Sequence, residues 1–239
     1  MTAPRIPTPP ALVIFDVDYT LLHPGTRFEA EGYRALGREF GLDLDPERWD
    51  AAERAVYTAM IERRERLGTR HDEGVYEIVA ATIIEELGGG DPEAVTAAAR
   101  AQLAAWWNVE HFTLYDDVLP CLERLHAAGL TLALLSNTSR DLDAVASHFG
   151  LGALVDLTVA SSVVGHCKPA PEIFAALLAE AGVAADEAVM VGDNLEDDVR
   201  GAIAAGCHGV LLDRRGRWDV SLPTIRSLGE LPALLGLPG

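Results

Sequence analysis

The stretch Ala11-Leu12-Val13-Ile14-Phe15-Asp16-Val17-Asp18-Tyr19 decides how the rest of the chain is read. Five apolar residues in a row fit a strand buried on both faces of a parallel sheet, where no polar alternation is expected. Asp16 and Asp18 fall where that run stops. In an extended chain the period of two puts both carboxylates on one side. Two such groups repel one another unless something positive holds them, and a divalent ion does so most simply. Alone, the pair reads better as a polar turn that merely ends a strand, because Asp is common in turns. The decision rests on what the chain places beside it.

Downstream, His23-Pro24 breaks the strand pattern, and residues 26 to 111 read as helical with no convincing strand. Phe28, Tyr33, Leu36 and Phe40 recur near helical spacing. A second helix follows Asp45-Pro46, a capping residue with proline in the first turn. A third starts near Asp72 and ends at Gly88-Gly89-Gly90, and a fourth starts at Asp91-Pro92 and runs through Trp107. Four amphipathic helices after a lone strand predict a separate helical module.

From Asp117 the pattern alternates. A helix to Ala128 precedes the apolar run Leu130–Leu135, which stops at Ser136-Asn137; a helix over 140–149 precedes a short strand at Leu157–Ala160. A helix over Pro171–Ala181 leads to the strand Ala188–Val191, cut by Gly192-Asp193. A helix over Leu195–Ala205 leads to a strand at Gly209–Leu212, with a terminal helix over 224–235. Alternation of this kind predicts an α/β fold, a doubly wound and mostly parallel sheet of the Rossmann-like kind, with an inserted all-helical cap domain. The expected boundaries are a flexible tail over 1–10, the core over 11–22 and 113–239, and the cap over 23–112. Ligands of such sheets bind at the carboxyl ends of the strands. Each long apolar run stops there at small polar or acidic residues: Asp16 and Asp18, Ser136 and Asn137, Asp193 and Asn194. Lys168 lies on a turn near the same edge, just before a predicted helix.

The composition limits the classes of function. Nearly half of the 239 residues are apolar, and the formal net charge is −18. So acidic a chain repels nucleic-acid phosphates and anionic membranes, which makes neither an expected partner. A small anionic substrate can still be held locally by a metal, a lysine and backbone N–H groups. The apolar runs are too short and too broken by charge to span a membrane. Residues 1–10 carry four prolines and no apolar segment of the signal-peptide kind, so a cytoplasmic protein is expected. Cys121, Cys167 and Cys207 match neither a disulfide framework nor a zinc spacing.

With these residues in order, the chain resembles a phosphatase-type member of the haloacid dehalogenase superfamily, with a helical cap between the first and second motifs. The motifs stand here as Phe15-Asp16-Val17-Asp18-Tyr19-Thr20-Leu21-Leu22, Leu135-Ser136-Asn137, Lys168-Pro169 and Gly192-Asp193-Asn194-Leu195-Glu196-Asp197-Asp198. The resemblance implies Asp16 as nucleophile and Asp18 as general acid/base. It implies Ser136, Asn137 and Lys168 at the phosphoryl group, Ser136 and Lys168 taking part in catalysis. It implies Mg2+ held by Asp16, Asp193 and the backbone carbonyl of Asp18. The trailing acid, which orders a metal-bound water or the lysine, aligns on Asp198 rather than Asp197.

The implied function is Mg2+-dependent hydrolysis of a small phosphorylated metabolite through an aspartyl phosphate. Two other activities share the scaffold. A dehalogenase acting on a 2-haloacid needs no acid at position 18, since halide leaves without a proton, and Asp18 is present. A sugar-phosphate mutase uses the same acidic pair. A non-catalytic phosphate- or magnesium-binding protein is the reading from another class, and the intact set of Asp16, Asp18, Lys168 and Asp193 speaks against it. His166 and Cys167 are expected to shape the loop. Phe28, Tyr33 and Tyr57 are candidate substrate contacts on the cap side. Arg63, Arg64 and Arg66 form a basic cluster read as a solvated face paired to neighbouring Glu, with substrate contact left open.

Overall fold

A computed structural model describes residues 6–237, apart from the Leu67 side chain. The chain divides into two compact units, Met1–His23 with Leu114–Gly239, and Pro24–Thr113.

The chain opens with β1 (Leu12–Phe15), whose four side chains are all fully buried, and β2 (Leu22–Pro24). Helices α1 (Ala30–Glu39), α2 (Trp49–Leu67), α3 (Gly74–Glu86) and α4 (Pro92–Trp106) form the second unit. They close on a core that includes Tyr33, Leu36, Leu44, Ile84, Leu87 and Val95. The Asp91 side chain accepts the N–H groups of Glu93 and Ala94 at 2.9 and 3.3 Å, with Pro92 in the first turn. Such a cap contributes about 1 kcal/mol. At Asp45-Pro46 a short tight turn, Pro46–Arg48, comes before α2 proper.

The chain returns through β3 (Phe112–Leu114), which pairs with β2, and continues with α5 (Val118–Ala127) and β4 (Thr131–Ser136). Then come α6 (Leu142–His148), β5 (Leu157–Ala160), the single turn α7 (Ser161–Val164) and α8 (Pro171–Ala181). β6 (Ala188–Gly192), α9 (Gly201–Ala204), β7 (His208–Leu212), β8 (Thr224–Ile225) and α10 (Leu231–Leu234) complete the chain. The main sheet has six strands in the order β5-β4-β1-β6-β7-β8, every pair parallel. β1 therefore lies in the middle, flanked by strands more than a hundred residues away, with Phe15 opposite both Leu134 and Val191. One face buries Leu12, Ile14, Leu135 and Met190 against Ile173, Phe174 and Leu177 of α8.

Three expectations are corrected. Residues 6–10 are not loose throughout, since Ile6 and Pro10 are buried; residues 1–5 lie outside the described residues. The terminal helix does not begin at 224. Thr224 and Ile225 are an edge strand against Leu211 and Leu212, and the helical turns start at Leu228, where Ser227 and Glu230 form a capping box. The helix over Leu195–Ala205 opens as wide π turns, Leu195–Arg200, with Val199 N–H reaching back five residues to Asn194 O. Such turns cluster at functional sites.

Candidate active site

The middle strands end together, and their first residues past the sheet form the site. Asp16 continues the ladder one step beyond β1, its N–H bonding Val191 O at 3.0 Å, which fixes the backbone that aims its buried carboxylate. Ser136 is the last residue of β4 and is buried; Asp193 follows the last residue of β6. Lys168 comes from the loop before α8 and is buried in full. It is the only lysine in the chain, all other long cationic side chains being arginine. Its ammonium meets Asp16 Oδ1 at 2.6 Å, Asp198 Oδ1 at 2.7 Å and Leu135 O at 2.8 Å. Three acceptors match its three protons. Burial works against the charged ammonium, but the two carboxylates outweigh it and raise its pKa.

Asn137 fixes the lysine loop. Its Oδ1 accepts Lys168 N–H at 2.6 Å and its Nδ2 donates to Lys168 O at 3.0 Å, so this amide is engaged with the main chain of the lysine. Asp198, from the π turns, accepts Asn194 N–H on Oδ2 at 3.0 Å and gives Oδ1 to the lysine. Gly192 is required for this: a Cβ there would collide with the Asp198 carboxylate. Of the two trailing acids, Asp198 is the one that contacts Lys168.

Oxygens of Asp16, Asp193 and Asp198 lie within 4.8 Å of one another. One ammonium cannot neutralise three carboxylates. Burial, followed by the charges of Asp16 and Asp198, raises the pKa of Asp193 well above the usual carboxylate value. Burial pushes Asp198 up to about 7, with Lys168 opposing. An all-oxygen cluster with surplus negative charge suits a hard divalent cation such as Mg2+. Asp198 has both oxygens engaged, Oδ1 by the lysine and Oδ2 by Asn194 N–H, whereas the lysine holds Asp16 through Oδ1, so Asp16 and Asp193 could reach an ion.

Asp18 is placed differently. Its carboxylate is not among the three clustered acids; its Oδ2 takes a hydrogen bond from Arg140 Nη2, a buried guanidinium. Arg140 is in turn fixed by Thr138, whose Oγ1 accepts its N–H at 3.0 Å, and Thr138 N–H bonds Ser161 Oγ at 2.9 Å. Asp18 Oδ1 is buried with no hydrogen-bond partner. Burial raises the pKa of Asp18 against the opposing Arg140 charge.

Arg140 was not legible as a site residue. Its signal in the sequence is weak, an arginine four residues past Ser136, and 122 residues separate it from its partner. Of the candidate substrate contacts, Phe28 and Tyr33 are buried in the helical unit, where Phe28 meets Trp106 edge-on at 5.1 Å and Tyr33 tilts on Trp49 at 5.6 Å; Tyr57 is exposed. They are packing residues, except Tyr57. Arg63 pairs with Asp72 at 2.5 Å, not with a neighbouring Glu. Among the described residues no helix is long and apolar enough to cross a membrane.

Comparison with known proteins places this geometry. The haloacid dehalogenase-like hydrolase family matches residues 10–206. The chain belongs to that family. It is similar to the ribulose-1,5-bisphosphate 5-phosphatase of Halopiger xanaduensis, 31% identical over 230 residues and 92% of each chain. It is also similar to the glyceraldehyde 3-phosphate phosphatase of Methanopyrus kandleri, 31% identical over 211 residues, 87% of this chain and 85% of that one. Among solved structures, a family phosphatase from Thermococcus onnurineus superposes with a TM-score of 0.62 at 26% identity, over 99% and 98% of the two chains. A 2-haloacid dehalogenase from Pseudomonas syringae superposes at 0.59 and 24% identity over 99% of each, which shows the shared fold alone. The chain is an enzyme of the phosphatase type within this family.

Proposed function

We propose that this haloacid dehalogenase-like phosphatase hydrolyses a small phosphorylated metabolite with Mg2+, through an aspartyl phosphate on Asp16. The observation that carries the reading is the contrast between its two leading carboxylates. Asp16 is ion-paired to the buried Lys168 ammonium, which holds its carboxylate in place. Asp18 has its pKa raised by burial and holds an unpartnered buried oxygen. An unsatisfied buried acceptor costs about 1–3 kcal/mol, and a proton on that oxygen converts it to a donor. A carboxylate paired to the lysine beside an acid whose proton is held by burial divides the work into nucleophile and general acid.

Asp16 and Asp193, with the backbone carbonyl of Asp18, would hold Mg2+; when bound, the ion offsets the repulsion between carboxylate and phosphoryl oxygens. Asp16 attacks phosphorus while Asp18 gives its proton to the leaving oxygen, and Asp18 then takes a proton from the water that hydrolyses the acyl phosphate. Lys168, Ser136 and the N–H groups of the Ser136-Asn137 turn would stabilise charge on the transferring group. The relatives' names point to sugar and triose phosphates as the first esters to try.

The test is phosphate release from a panel of small phosphomonoesters, with and without Mg2+, beside Asp16→Asn. Metal-dependent release that Asp16→Asn abolishes is expected. Release that survives in Asp16→Asn removes the nucleophile assignment. Halide release from a 2-haloacid, with no ester turned over, replaces the phosphatase reading altogether.

A further inference from the structure

Tyr19, between Asp18 and Thr20, has φ +64°, the only positive φ outside glycine among the described residues. Side chains other than Gly, Asn and Asp avoid this conformation, and it persists where surrounding bonds over-determine it. Some of those bonds are local. Tyr19 N–H bonds Leu22 O at 2.6 Å, and the N–H groups of Leu21 and Leu22 both reach Val17 O at 2.9 Å. Two come from far away. Thr20, fully buried, accepts Asp193 N–H on its hydroxyl at 3.2 Å and Arg214 Nη2 on its carbonyl at 3.0 Å.

Arg214 lies just past β7, 194 residues from Thr20, and is itself held rigidly. Its guanidinium forms a two-point pair with Asp117, Nη1 to Oδ2 at 2.8 Å and Nη2 to Oδ1 at 2.9 Å, and lies 3.9 Å over the Tyr115 ring. Asp117 is fixed from a third direction by Ser227 Oγ at 2.7 Å and Leu228 N–H at 2.9 Å. The neighbouring Asp213 anchors the same loop by accepting the N–H groups of Arg217 and Trp218 at 2.9 and 3.0 Å. Tyr115 N–H bonds Leu21 O at 3.1 Å and adds to the grip on the loop. A planar fork with a bidentate carboxylate and an aromatic under it is what lysine cannot reproduce.

We infer that Arg214 is a positioning residue for the general acid: with Asp117 it clamps the Thr20 carbonyl, holds Tyr19 in its left-handed turn and so sets where Asp18 points. This rests on Asp18 being the acid, as proposed above. The consequence is selective. An aliphatic phosphate needs a proton delivered to its leaving oxygen, whereas para-nitrophenyl phosphate expels a stable phenolate without one. In kcat/KM, which reports phosphoryl transfer to Asp16 and not the later hydrolysis of the acyl phosphate common to both esters, a misplaced acid therefore slows the first ester and spares the second. A general weakening of the fold slows both alike.

The experiment measures kcat and KM of the wild type, Asp18→Asn, Arg214→Met, Arg214→Lys and the double variant Arg214→Met/Tyr19→Gly. The esters are para-nitrophenyl phosphate and the aliphatic phosphate the enzyme hydrolyses best. Displacement of a reacting group by a distant substitution costs on the order of 10²-fold. Arg214→Met is expected to lose on that order in kcat/KM for the aliphatic ester and severalfold at most for the nitrophenyl ester. Arg214→Lys follows the same selectivity, and Tyr19→Gly recovers part of the loss because glycine needs no clamp to hold that turn. If Asp18→Asn is selective while the Arg214 variants slow both esters equally or neither, the clamp is overturned and the acid assignment stands. If Asp18→Asn itself shows no selectivity, the acid assignment fails and the clamp with it. Should Arg214→Met not fold, Arg214→Lys carries the same comparison.

Discussion

Replacing Lys168 by methionine is the perturbation most directly read from the site. The ammonium is buried and bridges two buried carboxylates at 2.6 and 2.7 Å. Each attraction amounts to about 4 kcal/mol at an effective dielectric near 20 and charge centres about 4 Å apart. Desolvation of all three groups opposes this sum, so the observable quantity is the cost of deleting one partner from a buried pair, about 3–5 kcal/mol. Methionine preserves the volume but leaves Asp16, Asp193 and Asp198 with no cation among them. Urea unfolding without added metal is expected to show Lys168→Met destabilised by about 3–5 kcal/mol. Adding Asp198→Asn should restore a large part, because it removes one uncompensated charge. Mg2+ should stabilise Lys168→Met more than the wild type, since the ion then supplies the missing positive charge. As the chain holds a single lysine, isotope-labelled lysine gives one NMR resonance that reports the ammonium directly. If Lys168→Met unfolds within about 0.5 kcal/mol of the wild type, the range of an ordinary surface substitution, the lysine does not carry the electrostatic balance of the site.

Gly192→Ala forces Asp198 away from the lysine, and overpacking of this kind costs about 1–3 kcal/mol; thermal unfolding and kcat should fall together, and an alanine variant with both unchanged contradicts the close approach. Asp117 is partly buried, which disfavours its charge, but hydrogen bonds from Arg214, Ser227 and Leu228 outweigh this and hold its pKa below 3.8. Its stabilisation is therefore present above the unfolded pKa and is lost as pH falls through the lower folded value; the Tm difference between wild type and Asp117→Asn should shrink below about pH 4. A gap that stays constant down to pH 2 rules out that linkage. Arg140→Leu leaves Asp18 without its guanidinium partner, which makes the carboxylate harder to ionise still; the alkaline limb of the kcat/KM profile, where the acid loses its proton, should move to higher pH, and an unmoved limb detaches Arg140 from the acid. Phe174→Ala, in the main core, should cost about 3–5 kcal/mol by denaturant unfolding with KM little changed.

Much of the site was legible because parallel sheets put their chemistry where apolar runs stop. Asp16, Ser136 and Asp193 are each the first polar residue of such a stop, and register brings the three ends together. Lys168 was legible through its motif, and Asn137 only as a phosphate contact; the structure engages that amide with the lysine backbone. Edge elements were read poorly. Thr224-Ile225 is too short to show periodicity, and its pairing with β7 is decided by the sheet, not by local preference.

By itself, the sequence determined the order of the main strands and helices, the helical insertion and where acids end the leading strands, because hydrophobic periodicity and turn chemistry are short-range properties. Only the tertiary structure decided which charges meet. Lys168 reaches Asp16 across 152 positions, Arg140 reaches Asp18 across 122, and Arg214 reaches Thr20 across 194. Such partners depend on how loops leave neighbouring strands of a twisted sheet, and no local pattern encodes that. The chemistry of each carboxylate follows from its surroundings: an ammonium pairs with Asp16, while burial raises the pKa of Asp18 against the opposing Arg140 charge.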